Sequence, residues 1–263
     1  VPNEGQHELL DKLSRFVVSS DRQKAFILLG YAGTGKTSII AALVQAYKEL
    51  QQKIVLLAPT GRAAKVISRY ASTPAYTIHK YIYRQKQLGE AVFTLNDNLH
   101  KNTLFIVDEA SMISGVRDNT MFGSGTLLDD LVKYVYSGEG CSMLLLGDDA
   151  QLPPVGSLIS PALQSDYMQK YGLHVTCSIL TEVARQAMDS GILRNASKIR
   201  PVALGEGQIP HSTWDLLEES SDFTHITGAE VSEKLEQSYN EVGVEEVMLL
   251  TRTNKRTNIY NQG

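Results

Sequence analysis

The sequence predicts an α/β fold, a mostly parallel β-sheet covered by helices on both faces. Three observations predict it. Short apolar runs (Ala25-Phe26-Ile27-Leu28-Leu29, Lys53-Ile54-Val55-Leu56-Leu57-Ala58, Thr103-Leu104-Phe105-Ile106-Val107 and Ser142-Met143-Leu144-Leu145-Leu146-Gly147) alternate with stretches of helical apolar spacing. The first run leads directly into Gly30-Tyr31-Ala32-Gly33-Thr34-Gly35-Lys36-Thr37, which fits G-x-x-x-x-G-K-[ST] at every position. The last two runs each end on an acidic pair, Asp108-Glu109 and Asp148-Asp149, where a parallel sheet presents its functional groups.

Taken in order, residues Glu4 to Val18 carry Leu9, Leu10, Leu13, Phe16 and Val17 on one side, which predicts an amphipathic helix. The Ala25–Leu29 strand and the glycine-rich loop follow, and Ser38 to Leu50 reads as a helix free of Gly and Pro. The second strand stops at Pro59, and Thr60, a good N-cap type, opens a helix from Gly61 to Tyr70. A second short helix is expected from Thr77 to Tyr83, and a small β-hairpin over about 85–102, turned at Gly89. After the third strand, Val116 to Ser137 is helical in its second half, and His174 to Leu180 is a fifth strand. Ala187 to Ile199 reads as a helix ended by Pro201. Gly228 to Gly243 is an acidic amphipathic helix, Val247 to Leu250 a strand, and Asn254 to Gln262 a further helix.

Composition narrows the classes. With 263 residues, 43% of them hydrophobic, and 20 glycines, the chain has the make-up of a soluble globular protein with room for one large α/β domain and part of a second. No apolar run approaches the ~20 residues of a membrane span. The first residues lack a basic-then-apolar signal. Cys141 and Cys177 form neither a metal motif nor a disulfide framework, so reduced core thiols in a cytoplasmic protein are expected. The net charge of −4 argues against nucleic-acid binding, but its distribution argues the other way. Gln51 to Gly89 holds seven Lys or Arg and no Asp or Glu, whereas Trp214 to Glu246 holds ten acidic residues and one Lys. A one-sided basic strip is a plausible footprint for a phosphate backbone.

The chemistry begins at the glycine-rich loop. Gly30, Gly33 and Gly35 free the backbone so that successive N–H groups, from Ala32 through Thr34 to Ser38, face phosphate oxygens at a helix N-terminus. Lys36 is placed to reach the β- and γ-phosphates, and the Thr37 hydroxyl to bind Mg²⁺. Asp108 is a second candidate Mg²⁺ ligand, Glu109 the candidate to polarise an attacking water, and Gln151 a candidate γ-phosphate sensor.

The motifs together resemble those of superfamily 1 helicases. Gly30 to Thr37, Ala58-Pro59-Thr60-Gly61-Arg62-Ala63-Ala64, Thr77-Ile78-His79, Val107-Asp108-Glu109-Ala110-Ser111-Met112 and Gly147 to Val155 stand in that family's order and approximate spacing. Leu180-Thr181-Glu182-Val183-Ala184-Arg185-Gln186 and Leu250-Thr251-Arg252-Thr253-Asn254-Lys255 are similar to later motifs of its RecD-like and Dda-like branch, which includes the α subunit of exodeoxyribonuclease V. The resemblance implies a RecA-like first motor domain over 1–205, with the hairpin as an insertion, and a connector plus the start of a second RecA-like domain over 206–263. It implies that Gln6 contacts adenine, that Arg185 is a γ-phosphate cation, and that Pro59, Thr60, Gly61, Arg62, Thr77 and His79 lie along a DNA strand with Phe93 as a wedge at the fork. The implied activity is ATP hydrolysis driving movement on single-stranded DNA, 5′→3′, in repair or recombination and with other subunits as partners. Two later motifs of the family, one with a further arginine, do not occur in these residues, so this chain alone is expected to be catalytically weak. Two alternatives stand beside this reading: a different P-loop ATPase, and a module that binds nucleotide or DNA without turnover.

Overall fold

Six parallel strands form the central sheet: β1 (Lys24–Gly30), β2 (Lys53–Ala58), β3 (Ala75–Thr77), β6 (Thr103–Val107), β7 (Ser142–Gly147) and β8 (His174–Leu180), in the order β3-β2-β6-β7-β1-β8. A separate antiparallel ribbon joins β4 (Tyr83–Gln85) to β5 (Phe93–Leu95). The computed structural model describes residues 3–31, 33–85, 93–117, 122–182, 190–206 and 217–262. Two expected site residues, Ala32 and Arg185, lie outside the described residues, as does the turn of the expected hairpin at Gly89.

Alternation along the strands divides the core into two layers. Phe26, Leu28, Leu56, Leu104, Ile106, Leu144 and Leu146 face one side, where α1 (Glu4–Val18), α2 (Lys36–Glu49) and α3 (Gly61–Ala71) bury Leu9, Leu13, Phe16, Ile40, Val44 and Ile67. Ala25, Ile27, Val55, Leu57, Phe105, Val107, Met143 and Leu145 face the other, against α4 (Ile78–Ile82), α5 (Leu127–Ser137) and α6 (Ser165–Gln169). Burial on both faces is why these strands read as continuous apolar runs. All six strands run the same way, so the ends of β1, β2, β3, β6 and β7 bring the candidate residues to one edge of the sheet.

The structure departs from the sequence reading in four places, the first of which also adds a strand to the sheet. Ala75–Thr77 pairs with β2 as an edge strand, so the fourth helix begins one residue later than expected, at Ile78. The antiparallel pairing of the expected 85–102 hairpin begins earlier, at Tyr83, and ends at Leu95; Asn96 to His100 is irregular. The helix α7 (Gly191–Ala203) runs through Pro201, because a proline in a last turn forfeits one N–H bond and the chain closes with Leu204 N–H to Arg200 O at 3.0 Å. Val247 to Leu250 forms no strand among the described residues, since no neighbouring strand offers it a ladder.

The chain divides into two compact units, Val1–Leu217 and Glu218–Gly263. The second contains α8 (Val231–Val242), a short 3₁₀ turn at Val244–Glu246 and α9 (Asn254–Gln262), all largely exposed. No helix among the described residues is long and apolar enough to cross a membrane.

Candidate nucleotide site

The loop after β1 turns through Gly33 (φ 74°) and Gly35 (φ 88°), left-handed conformations that a side chain resists. Gly30 answers a second demand: a Cβ there would lie 2.9 Å from two carbons of the Lys36 stem. α2 then begins at Lys36 with no side-chain cap and no acidic residue in its first turn. α1, α3, α4 and α7 carry side-chain caps from Asn3, Thr60, Thr77 and Ser190, whereas α5, α6 and α8 lack a cap as α2 does but hold an acidic residue in the first turn. The first N–H groups of α2, including those of Thr37 and Ser38, are therefore left for a ligand, with the positive end of the helix behind them.

Lys36 Nζ folds back to donate to the Tyr31 carbonyl at 2.9 Å and to the Gly30 carbonyl. Burial pushes its ammonium down from the ordinary lysine range, opposed by Asp148 first and then by Glu109 and Asp108. Thr34 is buried and ties the loop with an Oγ1 bond to Tyr31 O at 2.8 Å. Gln6 holds the loop from α1: its Nε2 donates to Thr34 O at 3.2 Å while its Oε1 accepts from Asn3 N–H at 3.1 Å. The expected adenine reader thus lies against the loop, with its amide engaged at both ends.

Asp108 and Glu109 follow β6. The Asp108 N–H continues the ladder to Leu57 O at 2.9 Å, and Asp108 Oδ1 accepts the Glu109 N–H at 2.9 Å. Glu109 sits at φ 53°, an uncommon conformation for a non-glycine residue and one that clusters at functional sites. Burial raises both carboxyls above their ordinary range; Asp108 raises Glu109 further, and Lys36 pulls both back down. Thr37 and Asp108 line one cavity of about 10 Å³. Among the described residues no cluster of three His, Cys, Asp or Glu could hold a metal by itself. One hydroxyl and one carboxylate suit Mg²⁺, which keeps waters and takes its remaining ligands from phosphates.

Past β7, Asp148 is buried at 3% exposure and organises its loop, accepting Ala150 N–H at 3.0 Å while its carbonyl accepts Gln151 N–H at 3.2 Å. The Gln151 side chain is exposed beside it. Sequence reasoning missed the residue that completes this corner. Arg200 of α7 donates to Asp148 Oδ1 at 2.5 Å and to Asp149, and its guanidinium stacks 3.5 Å above the Tyr31 ring. Its partners lie 51 and 52 residues away in sequence, so spacing gives no signal for it.

The expected strand-contacting residues occupy the same sheet edge. Thr60 and Thr77 each cap a helix by accepting an N–H, from Ala63 at 3.2 Å and from Lys80 at 3.3 Å. Their hydroxyl protons remain able to donate. Pro59 is half-buried, while Gly61 and Arg62 are exposed, with open space around the Gly61 Cα. Arg62, Lys65 and Arg69 lie on the outer face of α3. His79 is half-buried between Tyr83 and Phe122, and burial lowers its pKa. Phe93 lies flat on Phe122, ring centres 4.6 Å apart, and packs against the core. One of its faces is thus covered by a neighbouring ring, and the residue is half-buried.

A glycine-rich loop opening an uncapped helix, with two acidic strand ends beside it, defines a P-loop nucleotide-binding α/β protein. The AAA domain family matches residues 2–212, and the chain belongs to that family. The chain is 28% identical over 203 residues to the ATP-dependent RecD2 DNA helicase of Deinococcus radiodurans, covering 74% of this chain and 23% of that protein. It is 30% identical over 166 residues to the ATP-dependent DNA helicase dda of bacteriophage T4, covering 59% of this chain and 34% of that one. The Pif1 helicase of Candida albicans shares the fold, with a TM-score of 0.51 at 17% identity, covering all of this chain and 61% of that structure. This chain spans less than two fifths of the length of the curated relatives it matches.

Proposed function

We propose that this chain is the motor portion of an ATP-dependent DNA helicase or translocase that hydrolyses ATP to move along single-stranded DNA, in the 5′→3′ direction. The observation that carries the reading is the bare N-terminus of α2, set with Lys36 among Asp108, Glu109 and Asp148. In this reading the loop from Gly30 to Ser38, including Ala32, Gly33, Thr34 and Gly35, cradles the phosphates. Thr37 and Asp108 hold Mg²⁺, whose charge would offset that of the phosphates. Glu109 polarises the attacking water, its carboxyl raised above the ordinary range by burial. Gln151 and Arg185 sense the γ-phosphate, and Gln6 releases one of its amide contacts to read adenine. The basic outer face of α3, with Pro59, Thr60, Gly61, Thr77 and His79, follows the strand's backbone without reading bases. The first motor domain spans 1–205, and 206–263 opens the second. The similar RecD2 and dda proteins are ATP-dependent DNA helicases, which favours DNA over RNA.

The test is phosphate release with Mg·ATP, with and without a single-stranded oligonucleotide. Stimulation by the strand is the expected result. Turnover indifferent to DNA would indicate a different P-loop ATPase, and nucleotide binding without turnover would indicate a binding module.

A further inference from the structure

Asp148 is the first of the carboxylates acting on Lys36 and is also the carboxylate gripped by Arg200. A buried acid thus pairs with Arg200 on α7 and also acts at longer range on Lys36 of the phosphate loop, whose ammonium bonds the Gly30 and Tyr31 carbonyls. Their side chains leave only 12% of Arg200 and 4% of Asp148 exposed. A nucleotide triphosphate that engages Lys36 withdraws one of those cations and brings further negative charge to the same corner. Asp148 then repels the ligand unless its charge is met elsewhere.

We propose that Arg200 is a positioning residue of the nucleotide site, which neutralises Asp148 and fixes the loop bearing Gln151 while Lys36 serves the phosphates. This rests on the nucleotide reading given above. Three contacts support it. The guanidinium is planar and forked, and its two ends meet two successive carboxylates, Asp148 and Asp149. Its face covers Tyr31, a residue of the phosphate loop itself. Its Nε is buried and lacks a hydrogen-bond partner among the described residues, so the group is held here by its charge and plane and not by saturation of its donors. The contact with the more exposed Asp149 adds little, because solvent screens it. The buried contact to Asp148 dominates, since removing one partner of a buried pair strands the other charge. A purely structural tie between α7 and the sheet would be met as well by apolar side chains of similar volume.

The experiment is a fluorescence titration of Mg·ATPγS and Mg·ADP on this chain and on Arg200→Met, Arg200→Lys, Asp148→Asn and the Arg200→Met/Asp148→Asn double variant, with melting temperatures alongside. Methionine keeps most of the side-chain volume, so a fall in melting temperature reports the stranded Asp148 charge, which the double variant removes. Arg200→Met is expected to weaken the triphosphate about tenfold and the diphosphate less. Arg200→Lys recovers only part, since it restores charge without the fork or the stack. In the Asp148→Asn background the same change costs less than about threefold, because no stranded charge remains. Unchanged triphosphate affinity in a folded Arg200→Met protein overturns the proposal, as does an equal loss with and without the Asp148 charge. Failure of the unaltered chain to bind either nucleotide overturns the site reading itself, and with it this role.

Discussion

Asp108 and Glu109 carry charge where water is scarce, and that has a consequence for stability. Their pKa values are raised above the ordinary 3.8 and 4.5, chiefly by burial. Between the ordinary and the raised values the folded chain holds protons that the unfolded chain has released, so stability falls as pH rises through that window. Above it the full cost persists. Asp108→Asn and Glu109→Gln are therefore each expected to raise the melting temperature at neutral pH, and to lose that advantage below pH 3.8 and 4.5 respectively, as scanning calorimetry over a pH series would show. An advantage that instead grows on acidification would mean the carboxylates are stabilised by their site. Lys36 is the complementary case. Among the described residues its hydrogen bonds go to the carbonyls of Gly30 and Tyr31, within its own loop, so Lys36→Ala leaves the core untouched. Loss of two charge-assisted bonds to phosphates is expected to weaken Mg·ATP by about a hundredfold, with the melting temperature kept. A variant that binds nucleotide as before would remove Lys36 from the site. The loop and the acidic strand ends were legible in the sequence because their chemistry lies in contiguous residues. Arg200 was not, because its meaning lies in Asp148 and Tyr31, which only folding brings to it.

The elements separate by a similar logic. Strands β1, β2, β6 and β7 were readable because burial on both faces demands unbroken apolar runs. β3 was not, because an edge strand of three residues, none fully buried, carries no such run, and Thr77 looks like a helix cap, which it also is. The Val247–Leu250 segment shows the converse, an apolar run without a strand beside it. One contact couples the ribbon to α5. Tyr83 Oη donates to Asp130 Oδ2 at 2.7 Å, and the same oxygen accepts Ser124 N–H at 2.9 Å. Burial and the Asp130 hydrogen bond push the Tyr83 phenol far above its ordinary range, so it remains a donor throughout the accessible pH range. Tyr83→Phe removes one of two bonds from the buried Asp130 carboxylate and is expected to destabilise the fold by about 1–3 kcal/mol in urea titrations. Nucleotide affinity is expected to hold, because Tyr83 belongs to the aromatic group of His79 and Phe122 and not to the phosphate loop. A drop in nucleotide affinity at unchanged stability would show that the ribbon reaches the site by a route these contacts do not contain.

At the scale of the whole molecule the charge is unevenly spread, and that asymmetry bears on the proposed binding of single-stranded DNA. The net charge of −4 would disfavour DNA if it were uniform. The acidic residues cluster instead toward the C-terminal segment, ten of them between Trp214 and Glu246, while Gln51 to Gly89 holds no acid at all. Folding turns that basic stretch into a surface: α3 buries Ala64, Ile67 and Ala71 and leaves Arg62, Lys65 and Arg69 outward, beside the edge where β2 and β3 end. Charges so placed engage phosphates by releasing counterions, a contribution that is indifferent to sequence and steeply dependent on salt. Arg62→Ala is therefore expected to weaken single-stranded DNA by a similar factor for every oligonucleotide tested. It is expected also to reduce the slope of log affinity against log salt by about 0.7, one phosphate contact on a single strand. Fluorescence anisotropy across a salt series measures both. A loss restricted to particular sequences would assign Arg62 to base edges, and an unchanged slope would place the strand on another face of the protein.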